Sequence, residues 1–205
     1  MEKNSDNNIK NRILDLSGHS EIIDVSKLSD VHTLNLSKCY DLTDVSMLGN
    51  VHTLDLSYCY DLKDVSKLGN VHTLNLTGCC NVRDVSMLGN VHTLNLTYCE
   101  SISDVSMLGN VHTLNLSGCR IKDVSKLGNV HELNLAYCKN VSDVSMLGNV
   151  HTLNLSYCHN ITDVSKLDKV HTLDLSYCEG ITDISNLVNV CKLTTIHCKN
   201  INSKK

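Results

Sequence analysis

Three kinds of side chain able to do chemistry recur in this sequence at a fixed step. Histidine occurs at His32, His52, His72, His92, His112, His131, His151 and His171. Aspartate occurs at Asp24, Asp44, Asp64, Asp84, Asp104, Asp123, Asp143, Asp163 and Asp183, and cysteine at Cys39, Cys59, Cys79, Cys99, Cys119, Cys138, Cys158 and Cys178. Imidazoles and thiolates are zinc ligands, carboxylates are calcium ligands, and a thiol beside a base is a nucleophile. Each possibility depends on whether the repeat brings the groups together at converging angles or spreads them along a line.

The step is 20 residues. Val51–Asn70 reads VHTLDLSYCYDLKDVSKLGN and Val71–Asn90 reads VHTLNLTGCCNVRDVSMLGN. Further units start at Val31, Val91, Val111, Val130, Val150 and Val170, with a looser first copy from Asn11 and a decayed last one from Val190. The unit starting at Val111 is one residue short, between Cys119 and Ile121. The chain therefore divides into a polar N-terminal cap (1–10), nine units (11–189) and a degenerate C-terminal unit or cap (190–205). Counting from the Val, apolar residues fall at positions 1, 4, 6, 9, 12, 15 and 18. Positions 4 and 6 alternate as a short half-buried strand does, and the remainder recur every third residue, which suits a 3₁₀-like or extended return. Such a chain coils once per unit with its apolar positions inward. One coil cannot bury enough surface to stand alone, so the units must stack.

The segment VHTLNLSYC resembles the leucine-rich-repeat signature, with Val in the first slot and Cys in the last. Cys-x-x-Ile-Thr-Asp is similar to the cysteine-containing repeats, and apolar residues at every third position resemble the short internalin-like repeats. The near-identical copies are similar to arrays encoded by large DNA viruses or protists. The resemblance implies an α/β-type leucine-rich-repeat solenoid, mostly β with a 3₁₀ or irregular convex side, coiling right-handed around a parallel concave sheet. With strands about 4.8 Å apart, nine turns span roughly 40 Å.

In that frame every position becomes a file along the rod. A straight histidine file offers a metal two ligands at a time, short of the four that zinc prefers, so surface stacking is the stronger reading. Calcium-binding solenoids wrap the ion with glycine pairs that are missing here. Each Asp is instead expected to accept backbone N–H groups two or three residues on, for Asp104 those of Ser106 and Met107. The cysteines read as small buried hydrophobes with a weak donor. Cys80, and with it Cys191, falls outside the inward pattern; Cys80 is the expected exposed thiol.

Positions 3, 5 and 7 should line the concave sheet. Position 3 is Thr in seven copies, with Glu132 as the exception, position 5 is Asn or Asp, and position 7 is Ser or Thr apart from Ala136. Two readings stand: Thr and Asn ladders that satisfy one another across strands, or a docking surface that includes Glu132, Asn115, Asn134 and Asn154. At position 8, on the rim, stand Tyr58, Tyr98, Tyr137, Tyr157 and Tyr177, interspersed with Lys38, Gly78 and Gly118. The last three tyrosines fall in consecutive coils and should form a continuous strip suited to contact with a partner.

Bulk composition agrees. The 205 residues contain no Pro, Trp or Phe, so the core must be built from small aliphatic pieces. A net charge of −4 provides no drive toward nucleic acid or an anionic membrane. Met1–Lys10 lacks the apolar stretch of a secretory signal, and the eleven cysteines follow the repeat. These features point to reduced thiols in a cytoplasmic compartment. The functional expectation is a non-catalytic scaffold without cofactor or metal, engaging a protein partner of unspecified identity through the concave sheet and tyrosine rim. It would be a monomer, or a homodimer formed through its edges or ends. The alternative is a structural or self-assembling repeat protein with no specific concave-face ligand, which the monotony of positions 3, 5 and 7 favours.

Overall fold

In the computed structural model, residues 12–198 and 201 are described, and the expected N-terminal cap at 1–10 lies outside them. Ten three-residue strands form one parallel sheet in strict chain order. They are β1 (Ile13–Asp15), β2 (Thr33–Asn35), β3 (Thr53–Asp55), β4 (Thr73–Asn75), β5 (Thr93–Asn95), β6 (Thr113–Asn115), β7 (Glu132–Asn134), β8 (Thr152–Asn154), β9 (Thr172–Asp174) and β10 (Lys192–Thr194). Register is constant: Leu34 lies beside Leu54 and Leu54 beside Leu74. The one-residue deletion does not disturb it, since Leu114 still faces Leu133. A slip by one residue would turn every strand leucine outward, which is why the loop absorbs the deletion and the strand does not.

The seven apolar positions are the core. In the coil that starts at Val91, the residues Val91, Leu94, Leu96, Cys99, Ile102, Val105 and Leu108 are all buried. The return path explains the every-third-residue spacing. The N–H of Cys39 donates to the carbonyl of Leu36, Leu42 to Cys39, Leu48 to Val45 and Val51 to Leu48. At positions 9, 12, 18 and 1 the residue that buries its side chain therefore also closes an i→i+3 turn, which satisfies much of the interior backbone without a helix. Six of these turns are formal 3₁₀ segments: Ser26–Leu28, Ser46–Leu48, Ser66–Leu68, Ser86–Leu88, Ser106–Leu108 and Ser145–Leu147. The others keep the same bond, as in Leu127 N–H to Val124 and Leu167 N–H to Val164.

Neighbouring coils are joined well beyond the strands. The N–H of position 6 donates to the position 5 carbonyl of the next coil (Leu56 to Asn75, 2.8 Å), and that of position 8 to the next position 7 carbonyl (Tyr58 to Thr77, 2.7 Å). On the other side of the sheet, the His32 carbonyl accepts from both His52 and Thr53. On the back of the coil the contact is steric. A methyl group at Gly49, Gly69, Gly89, Gly109, Gly128 or Gly148 would collide with the carbonyl oxygen at position 17 of the following coil. These glycines hold ordinary right-handed backbone. They are needed for close approach, not for conformational freedom.

In four coils the strand face is narrower than expected. Position 7 lies beyond the strand and is buried at Ser57, Ala136, Ser156 and Ser176, while Ser37, Thr77, Thr97 and Ser117 are half-buried like the residues at positions 3 and 5. Position 17, on the back of the coil, is exposed at Met47, Met87, Met107 and Met146.

Because backbone atoms form the obstacle, Gly89→Ala should cost about 1–3 kcal/mol. Asn90→Ala, at the neighbouring exposed residue, should cost less than about 0.5 kcal/mol. Urea unfolding of the two variants checks this, and equal midpoints would contradict it.

Candidate functional site

The histidine, aspartate and cysteine files each find a local partner. Adjacent histidine rings from His32 to His171 stack at 4.6–4.7 Å between centroids, with interplanar angles of 9–29°. Where position 3 is Thr, the histidine Nδ1 lies 3.2–3.3 Å from that hydroxyl. Parallel rings do not converge on a point, and among the described residues no cluster of three or more His, Cys, Asp or Glu could hold a metal ion. Desolvation, and then the neighbouring His52 and His92, hold the His72 pKa below that of a free imidazole.

Each aspartate of the second file accepts the N–H of the serine two residues on, at 2.8–2.9 Å. Asp104 reaches Ser106, without the expected second bond from Met107. That backbone bond holds the Asp104 carboxyl below its usual range, against repulsion from Asp123 and Asp84. In the third file, every thiol donates to the position 6 carbonyl of the preceding coil, from Cys59 to Leu36 at 3.3 Å to Cys178 to Leu155 at 3.0 Å. The same carbonyl already accepts the in-coil N–H of position 9. Cysteine thus fills both the buried space and the second lone pair. Burial pushes the Cys79 thiol up to about 12, so it stays protonated and unreactive. Cys198 continues the file at 3.0 Å from Leu175, although the decayed last unit conceals it in the sequence. Cys80 and Cys191 are exposed, as expected.

The position 5 residues are oriented differently from the ladder expectation. Asn115, Asn134 and Asn154 accept from Ser117, Ala136 and Ser156 two residues on. Cross-strand bonds at this position join Asn75 to Asp55, at 3.0 Å, and Asn35 to Asp15. The Asx-type turn forms locally and needs no neighbour, so it takes the acceptor first. Glu132 is exposed on β7, 3.5 Å from the Thr113 hydroxyl.

The tyrosine rim departs most from ordinary backbone. In all ten coils position 8 is left-handed. Lys38, Tyr58, Tyr98, Tyr137, Tyr157, Tyr177 and His197 have φ of 58–62°, and Gly18, Gly78 and Gly118 have φ of 72–76°. Glycine in three copies was the available sequence signal. A non-glycine residue there costs roughly 1–2 kcal/mol. The tyrosines recover this by stacking. Tyr137, Tyr157 and Tyr177 follow one another at 4.3 and 4.2 Å, nearly parallel, and His197 extends the file at 4.6 Å. Packing between two rings, and hydroxyl contacts with both neighbours, push Tyr157 up to about 12. Tyr58 and Tyr98 stand apart from this file, each with its ring over the glycine of the next coil, Gly78 and Gly118. A second pair, Tyr40 and Tyr60 at position 10, stacks at 5.4 Å outside the expected site.

The family model described as Leucine Rich repeat matches residues 110–125. No curated protein matches the chain in sequence. Among solved structures, an internalin (inlF) from Listeria monocytogenes is 23% identical with a TM-score of 0.62, over 84% of this chain and 62% of that one. Internalin C2 from the same organism is 24% identical with a TM-score of 0.60, over 82% of each chain. The functional domain of its InlJ, described as including a cysteine ladder, is 20% identical with a TM-score of 0.51, over 83% of this chain and 44% of that one. This chain therefore spans less than two thirds of the first and third of them. At such identities the likeness establishes the fold, a leucine-rich-repeat solenoid.

Two measurements test the files. Since folding lowers the His72 pKa, the unfolded chain takes up protons first as pH falls; stability present above about 6.5 is lost as pH drops toward the depressed value. The Tm should fall between pH 7.5 and 5.5, and a constant Tm would contradict the stacked file. At position 8, Lys38→Gly should stabilise by about 0.5–1 kcal/mol, the strain relieved less the entropy of glycine. Tyr157→Gly should instead destabilise, having lost two ring contacts worth about 0.5–1.5 kcal/mol each.

Proposed function

We propose that this leucine-rich-repeat solenoid is a non-catalytic scaffold that engages a protein partner through its strand face and tyrosine rim. One observation carries the reading. Five tyrosines occupy a left-handed backbone position that glycine fills without strain in three other coils. At Tyr58 and Tyr98, which stand outside the stacked file of Tyr137, Tyr157 and Tyr177, no parallel stack offsets the strain, and retained strain of that kind is a mark of function. Tyr58, Tyr98 and Tyr137 remain 38–51% exposed, leaving amphipathic rings with few rotors on the surface. The open face beside them is polar, and Glu132 is its charged exception at position 3. The monotony of positions 3 and 5 favours the second reading, a structural repeat with no ligand on that face. In the leading reading the rim therefore supplies most of the contact energy.

The buried, hydrogen-bonded and protonated thiols support placing the protein in a reducing, cytoplasmic compartment. None of its described helices is long and apolar enough to cross a membrane.

The test is capture of binding partners by the protein and by a Tyr137/Tyr157/Tyr177→Gly variant, which keeps the backbone that glycine adopts elsewhere. Partners retained by the protein and lost by the variant are expected. Identical sets would overturn the rim as the contact site.

A further inference from the structure

The histidine and aspartate files each turn an edge to solvent. Six of the eight rings, from His52 to His151, are exposed, and so is every aspartate from Asp24 to Asp183. The exposed histidines use Nδ1 toward the neighbouring threonine, and among the described residues no hydrogen bond reaches Nε2. Both files advance by one member per coil. The ring step is 4.6–4.7 Å, and on the back the glycine at position 19 keeps the same coils in close contact. One molecule therefore carries two rows of similar step, imidazoles at one border of the sheet and carboxylates on the back. The one-residue deletion interrupts neither, since His131 still follows His112 at 4.7 Å and Asp123 still repels Asp104.

The aspartate row is not uniformly compensated. Where position 17 is lysine, Lys27, Lys67, Lys126 and Lys166 favour the charge on Asp24, Asp64, Asp123 and Asp163. Where it is methionine, the serine N–H holds Asp44, Asp84, Asp104 and Asp143 below the usual carboxylate range, and the charges acting on them are other aspartates. The methionines of those coils, Met47, Met87, Met107 and Met146, are 53–61% exposed. Asp84, Asp104 and Met107 line a groove of about 380 Å³ together with Arg83, and Asp123, Asp143 and Met146 line one of about 240 Å³ together with Lys122. Beside the histidine row the ionisable groups are few. Asp30 and Lys169 lie two residues before His32 and His171, Glu132 follows His131, and Arg12 and Cys191 take the row's place in the coils before and after it.

We propose that a second copy of this chain docks side by side in mildly acidic solution, the protonated histidine row of one copy lying along the aspartate and methionine row of the other. Rows built on one coil step stay in register over many coils. Imidazolium Nε2–H groups supply the cations that Asp44, Asp84, Asp104 and Asp143 lack, and the exposed methionines meet the ring edges. Protonation sets like charges side by side within the histidine row, and one facing carboxylate per coil offsets them. At pH 7.5 the rings are neutral and the chain carries a net charge of −4, so nothing draws the rows together. The two rows are different surfaces, so the contact is head-to-tail and each copy keeps one row open for the next. The tyrosine rim takes no part in it.

Sedimentation should show the 22.7 kDa monomer at pH 7.5 and a mass at least about twofold higher at pH 5.8, reversed by about 0.5 M salt. Asp44/Asp84/Asp104/Asp143→Asn keeps the turn, since Asn115 accepts the Ser117 N–H in the same way, and should remain monomeric at pH 5.8. His72/His92/His112/His131→Gln, which leaves the main-chain bonds in place, should do the same. Mixed in equal amounts, the two variants should form a dimer and nothing larger, because one brings intact rings and the other intact carboxylates. For the unaltered protein the Tm at pH 5.8 should rise with concentration, opposing the acid loss of a molecule on its own. A monomer at both pH values would overturn the proposal. So would assembly of either variant alone, the mark of mere charge loss near the pI of about 6.2, or a mixture that forms no dimer.

Discussion

The structure depends on the contact between one coil's backbone and the next. A coil buries seven side chains of modest size, none aromatic, and that is too little to order twenty residues unaided. Neighbours supply the rest through an unbroken parallel ladder, amide bonds at positions 6 and 8 that continue past the strands, and carbonyls pressed against glycine on the far side. Contact on both the sheet and the back keeps the coil step short, and the short step brings identical residues within reach of one another.

That step settles what the chemically capable residues do. Histidines one coil apart must stack, and stacked rings cannot converge on a metal. Aspartates one coil apart repel, and each is held ionised by a serine N–H two residues on that donates to its carboxylate. Cysteines one coil apart would leave a line of carbonyl lone pairs unused if they did not donate across to them. All three files help to hold the solenoid together. The tyrosine file differs, because its rings pay for a strained backbone that glycine would have spared them.

Most of the architecture was legible in the sequence because it is periodic. The inward positions, the constant strand register, the turns of the return path, the histidine stack and the buried cysteines all follow from a 20-residue step and the choice of apolar residue. What was hidden depends on backbone geometry that residue type only hints at. Gly78 and Gly118 among the tyrosines signalled a left-handed turn, and Gly89 and its equivalents a close approach, yet both kinds also read as ordinary loop glycines. Asn115, Asn134 and Asn154 have suitable neighbours on both sides, so only the coordinates show that their own chain takes the acceptor first.

The central claim, that coil-to-coil backbone bonding holds each coil in place, is tested most directly by amide hydrogen exchange. The N–H groups of Leu76, Leu96 and Leu116, whose only bonds in this structure run to the following coil, should exchange solely through global unfolding. Exchange of these amides as fast as that of an exposed loop, in a protein still folded, would show that the coils are not joined in this way.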